Sequence, residues 1–188
     1  MALTKINNNT LSAITGLPAG VGGKVLQVVS TTKTDTFSSN AMAGGTHIDV
    51  TGLSVNITPS SASSKILVSA YINCSTDGGT DTAITVGMRL VRGSTPIFVG
   101  TAGTGSQSNT GSYSSINTND NRQSLVNFSQ GLDSPASTSQ QTYKVQVTQG
   151  FNNGSGIRTI YINRNVNSGT SYSSFRMAST ITAYEIAG

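Results

Sequence analysis

Runs that alternate between apolar and polar residues restrict this chain more than any other feature. Ile66, Val68, Ala70, Ile72 and Cys74 occupy every second position of one segment, and Leu53, Val55 and Ile57 do so in another. Tyr143, Val145 and Val147 form a third run, and Ile84, Val86, Met88 and Leu90 a fourth. An extended strand sends successive side chains to opposite faces, so each run reads as one buried face and one wet face. Such segments bury their apolar faces against one another, which predicts a sandwich or a barrel.

Residues 1–23 form a separate first unit. Leu3, Ile6, Leu11, Ile14 and Leu17 are apolar, and Gly16, Pro18, Gly20, Gly22 and Gly23 close the segment. The spacing has a helical flavour, but an amphipathic arm this short is not stable alone. It is expected to need a partner surface, the alternative being a disordered leader. From residue 24 onward, strands are expected near 24–29, 50–57, 65–74, 83–92, 96–99, 124–128, 142–148, 158–162 and 177–186. Thr58-Pro59, Asp77-Gly78-Gly79 and Asn152-Asn153-Gly154 punctuate them as turns. Residues 31–40 read as a polar stretch. Residues 100–121 hold few apolar residues beyond Tyr113 and Ile116, and read as a long loop of the kind that carries function. The expectation is an all-β, antiparallel, jelly-roll-like sandwich of eight to ten strands over residues 24–188, preceded by the 1–23 arm. No helix is expected after residue 23, and no internal repeat is present.

Composition narrows the function. Apolar residues are 35% of the chain and charged residues 10%, both low for a globular domain. So modest an apolar share suggests a core completed across a subunit interface. The net charge is +4, but the eleven Lys and Arg residues are spread along the whole chain. Nucleic-acid binders concentrate basic residues on one face or interleave them with aromatics, so no nucleic-acid partner is expected. Cys74 is the single cysteine and His47 the single histidine, which rules out an internal disulfide and leaves a Cys–His nucleophile without support. The acids are Asp35, Asp49, Asp77, Asp81, Asp120, Asp133 and Glu185, most of them in turns, and there is no Trp to line a long sugar groove. An enzyme is therefore not expected, nor a cofactor. Residues 77–81 and 117–121 offer oxygen ligands at short spacing, yet lack the order of a calcium loop and read as turn chemistry, so no metal site is expected. No run is long and apolar enough for a signal peptide or a membrane span, and the expected place of synthesis is a cytoplasm.

The run Gly23-Lys24-Val25-Leu26-Gln27-Val28-Val29, with Asp49-Val50-Thr51-Gly52-Leu53-Ser54-Val55-Asn56-Ile57-Thr58-Pro59, resembles small fibre proteins of tailed bacteriophages, especially marine and cyanobacterial ones. The resemblance continues through Ser63-Ser64-Lys65-Ile66-Leu67-Val68, Arg89-Leu90-Val91-Arg92, Leu132-Asp133-Ser134-Pro135 and Ile181-Thr182-Ala183-Tyr184-Glu185-Ile186. Met1-Ala2-Leu3-Thr4-Lys5-Ile6 is similar to the start of such fibres, where it serves as attachment arm. Where the family often has a bulky residue before the Asp-Val-Thr-Gly-Leu strand, this chain has Thr46-His47-Ile48. The resemblance implies a virion protein made in a host cytoplasm and assembled as a homotrimer of β-sandwich heads. Leu3, Ile6, Leu11, Ile14 and Leu17 would anchor it to other virion proteins. The expected contact with a host-surface glycan or protein is the long loop, through Tyr113, Asn117, Asn119, Asp120 and Asn121. Capsid decoration through the arm is the alternative role, and a non-viral lectin or matrix protein a third class.

Overall fold

Eleven strands follow one another along the described chain: β1 (Val25–Lys33), β2 (Phe37–Ser39), β3 (Ile48–Ile57), β4 (Lys65–Thr76), β5 (Ile84–Arg92), β6 (Thr95–Ile97), β7 (Ser112–Ile116), β8 (Leu125–Asp133), β9 (Gln141–Gly150), β10 (Ile160–Ile162) and β11 (Ser179–Ile186). The computed structural model describes residues 24–40, 45–77, 84–101, 103–104, 107–116, 124–150, 158–167, 169–170, 172 and 174–188. The 1–23 unit lies outside them, and no helix occurs among the described residues.

Eight of the strands carry the architecture. In chain order they are β1, β3, β4, β5, β7, β8, β9 and β11, and they pair first with last: β1 with β11, β3 with β9, β4 with β8, β5 with β7, all antiparallel. That is the pairing of one long hairpin. Rolling it up then sets β4 beside β11 and β5 beside β9, giving two sheets, β1–β11–β4–β8 and β3–β9–β5–β7. The result is a jelly-roll sandwich. The short β2 and β10 extend the first sheet along the far half of β4, and β6 extends the second beside β5.

The alternating runs face inward as their pattern requires. Ile66, Val68, Ala70, Ile72 and Cys74 of β4 meet Val86, Met88 and Leu90 of β5, and Tyr143, Val145 and Val147 of β9, in a single core cluster that also takes in Ile181 and Ala183 of β11. In β3 the alternation is broken. Between the pairs Asp49–Gln146 and Ser54–Lys144, β3 carries three more residues than β9, and Gly52 turns there at φ 82°. Only a residue without a β-carbon takes that backbone readily, and the bulge returns both Val50 and Leu53 to the core.

Three expectations need correcting. The 31–40 stretch continues β1 as far as Lys33 and then forms β2. The 100–121 loop contains β7, whose polar residues escape an apolar pattern but fill the ladder against β5. The strand expected to end at residue 128 runs on to Asp133.

β8 has the reverse polarity of its neighbours. Its inward positions are Leu125, Asn127, Ser129, Gly131 and Asp133, set opposite the core residues Cys74, Ile72, Ala70, Val68 and Ile66 of β4. Its outward positions include Val126, Phe128 and Leu132, each about half exposed. Sliding a strand by one residue exchanges its faces, so something must hold this register. Polar contacts do so: Tyr143 Oη and Arg92 Nη1 each donate to Asp133 Oδ2 at 2.7 Å, and Asn127 Nδ2 donates to Cys74 Sγ at 3.4 Å. A β-carbon added at Gly131 would run into the Phe98 ring.

Candidate functional site

The outer face of the second sheet is polar and concave. Outward positions of β5 and β9 stand in register as Thr85–Gly150, Gly87–Thr148 and Arg89–Gln146, and on the other side of β5 Tyr113 stands opposite Gly87. Residues 107–110, which lead into β7, add Ser108 and Thr110. Together Thr85, Gly87, Ser108, Thr110, Tyr113, Thr148 and Gly150 line a cleft of about 260 Å³.

The floor of the cleft depends on glycine. A β-carbon at Gly87 would come within 2.5 Å of Thr110 Cγ2 and 2.9 Å of Thr148 Cγ2, so any side chain there would displace a wall. A β-carbon at Gly150 would collide with Thr85 Oγ1. Every side chain with a polar atom in the lining is a hydroxyl, and Tyr113 is 72% exposed beside them. Hydroxyls both donate and accept, and an exposed tyrosine adds an apolar ring face with a polar tip. The cleft can therefore hold a neutral, hydroxyl-rich ligand against an aromatic ring. Among the described residues its lining holds no carboxylate and no imidazole.

Charges gather beside the cleft in a closed network. Lys144 Nζ and Gln146 Nε2 donate to the two oxygens of Asp49 at 2.6 Å each, and Arg89 Nε donates to Gln146 Oε1 at 2.8 Å. Burial works to raise the Asp49 carboxyl, but the bonds from Lys144 and Gln146 outweigh it and hold it below the usual carboxylate range. His47, just before β3, is pushed below its usual value by burial and then by the Arg89 charge, against backbone hydrogen bonds at Gly45 and Asn109 that work to raise it. Its Nε2 is buried without a partner among the described residues.

Of the residues expected to touch a host, Tyr113 is in this cleft, on β7. Asn117, Asn119, Asp120 and Asn121 lie outside the described residues, as do Leu3, Ile6, Leu11, Ile14 and Leu17 of the arm. The remaining lining escaped the sequence reading. One signal was available: Gly87 interrupts a strand interior, where glycine marks a close approach of other atoms. Cys74 is buried against Asn127 and its thiol is pushed up to about 12 by burial, partly offset by the Asn127 hydrogen bond, so it is no nucleophile at neutral pH. Asp77 Oδ1 accepts from Thr159 N at 2.7 Å, a contact between distant parts of the chain, and the rest of the 77–81 turn lies outside the described residues. Among the described residues no three His, Cys, Asp or Glu side chains gather as a metal site would require.

No protein-family profile matches the chain, and no curated protein matches it. Solved structures that overlap it include infectious bursal disease virus of the Gt strain, at 16% identity and a TM-score of 0.41, over 86% of this chain and 38% of that one. The Gx strain of the same virus overlaps at 14% identity and 0.40, over 86% and 37%. The virus's VP2 subviral particle overlaps at 14% identity and 0.35, over 86% and 38%. The chain thus spans well under half the length of those proteins. None of these overlaps reaches a TM-score of 0.5, and the jelly-roll assignment rests on the strand pairing itself.

Proposed function

We propose that this chain is a virion surface protein, a fibre or tail-tip component whose jelly-roll head attaches to a neutral glycan on a bacterial host. The 1–23 segment is its anchor on the particle, and the head works as a homotrimer. The observation that carries the reading is the hydroxyl-lined cleft with Tyr113 exposed at its side. Its polar groups suit sugar hydroxyls, and among the described residues its lining carries no charge to demand a charged ligand. The phage-fibre resemblance of residues 23–59 and beyond supports the viral setting. A single shallow cleft binds weakly, and three heads on one fibre would raise weak binding to useful avidity.

The test is binding of the full chain to an array of bacterial surface polysaccharides, beside Tyr113→Ala. The expected result is retention on at least one neutral glycan, weakened on the order of tenfold by the substitution with melting temperature unchanged. Equal binding by the variant, or adhesion to cells with no saccharide retained, overturns the cleft assignment. Capsid decoration is the second reading, favoured by the outward Val126, Phe128 and Leu132 of β8, since a shell-bound protein also presents such residues. Gold-labelled antibody spread over the capsid, with none at the tail, would establish decoration instead.

A further inference from the structure

Two arginines stand opposite one another just beyond β10. Arg164 and Arg176 pair as an isolated antiparallel bridge, so their β-carbons are about 5 Å apart and their side chains leave the backbone on one side. Four bonds hold the two arms in place. Ser75 Oγ donates to Arg164 O at 2.8 Å, Asn163 N to Asn73 O and Met177 N to Asn163 O at 3.0 Å each, and Phe175 N to Asn165 Oδ1 at 3.1 Å. The Arg164 guanidinium lies over the Tyr161 ring, with Cζ 4.0 Å from its centroid. Ile160 and Ile162 beside Tyr161 are in the core, which puts Tyr161 and the arginine above it on the outer side of the first sheet.

Like charges set opposite each other repel, and no carboxylate relieves this pair. The sequence has no Asp or Glu between Asp133 and Glu185. Of the acids on neighbouring segments, Asp35 is paired with Lys33 Nζ at 2.7 Å, and Asp77 Oδ1 accepts from Thr159 N at 2.7 Å. Among the described residues neither Arg164 nor Arg176 has an ion pair. Contact with the ring uses the face of the Arg164 guanidinium, so its in-plane N–H donors remain for an oxyanion.

We propose that this pair is a second ligand site, separate from the Tyr113 cleft, for the carboxylate or phosphate group of an acidic sugar. Arginine donates to such groups through two parallel bonds, and an oxyanion seated between the two side chains would remove their repulsion. Exposed rings lie in the same segment: Tyr172 is fully exposed and Phe175 is 59% exposed, and each offers an apolar face to a sugar ring. A nucleic acid needs a track of cations for successive phosphates, whereas two opposed arginines make a single clamp. The site stands whether or not the cleft holds a neutral glycan.

The experiment is retention of the full chain on polygalacturonate, a glycerol-phosphate polymer, a neutral glucan and single-stranded DNA, beside Arg164→Gln with Arg176→Gln. Lys24→Gln with Lys65→Gln is the control of equal charge loss, since both lysines are exposed and Lys65 begins β4 at the end away from β10. The expected result is binding to an acidic polymer, weakened at least tenfold in the arginine variant and less than twofold in the lysine variant, with Tyr113→Ala unchanged. The polymer retained identifies the oxyanion as carboxylate or phosphate. Should the arginine variant fail to fold, phenylglyoxal labelling of the wild type decides: bound polymer should protect Arg164 and Arg176 at least fivefold and leave Arg89 unprotected. Five results overturn the proposal: neither acidic polymer retained; equal weakening in the arginine and lysine variants, which would mean diffuse attraction; loss of acidic binding in Tyr113→Ala; DNA held more tightly than either polymer through the same arginines; or protection of Arg89 alone.

Discussion

Asn163 shows how much one buried amide can hold. It has no exposed surface, takes a left-handed backbone at φ 62°, and joins three parts of the first sheet. Its Nδ2 donates to Lys33 O at 2.7 Å and Asp35 O at 3.0 Å, while its Oδ1 accepts from Ser179 Oγ at 2.6 Å. Asparagine tolerates that backbone better than alanine, and truncation would leave buried carbonyls unpaired. Asn163→Ala should therefore cost about 3 kcal/mol in urea unfolding. Glu185 is a second such residue. Burial works to raise its carboxyl, but bonds from Ser60 and Gln27 at 2.6–2.7 Å prevail and hold it at about 2, against an ordinary 4.5. A lowered folded value means the contribution is complete above pH 4.5 and is lost as pH falls toward 2. Melting temperature should decline through that window, and Glu185→Gln, which costs about 2 kcal/mol at pH 7, should flatten the decline. Neither role is legible in sequence, because Asn163 meets Lys33 and Asp35, and Glu185 meets Ser60 and Gln27, across more than a hundred residues of chain.

Among the elements, β8 separates pattern from placement. Its Val126 and Phe128, read alone, would pass for a core face, yet both point outward. Gly131 helps to fix this register by admitting the Phe98 ring. Gly131→Ala should cost about 1–3 kcal/mol through overpacking, and Phe98→Ala in the same chain should recover most of it. A double-mutant cycle in denaturant measures the coupling; additive losses would show that ring and glycine do not share the space. The strands of β4, β5 and β9 were legible for the opposite reason. One of their faces is uniformly apolar, so burial leaves a single choice of side. β7 was missed because a Ser-rich edge strand has no apolar face to signal it.

For the whole molecule, the proposed reading gives the two outer faces different roles. The Tyr113 side is hydroxylated and open, and its variants should change retention on neutral glycans without changing retention on acidic ones. The Arg164 and Arg176 side is basic, and its variants should do the reverse. Measuring both readouts on both sets of variants tests the separation, and a Tyr113→Ala protein that loses acidic polymers would refute it. From its sequence alone this chain is determined to be an all-β sandwich, because alternation is a local property that burial must respect. Tertiary structure alone decided that Val126 and Phe128 of β8 face outward, and that Tyr113 shares a cleft with Thr85 and Thr148. Those facts depend on the order in which the long hairpin rolls up, and strand order places side by side residues that no local pattern connects.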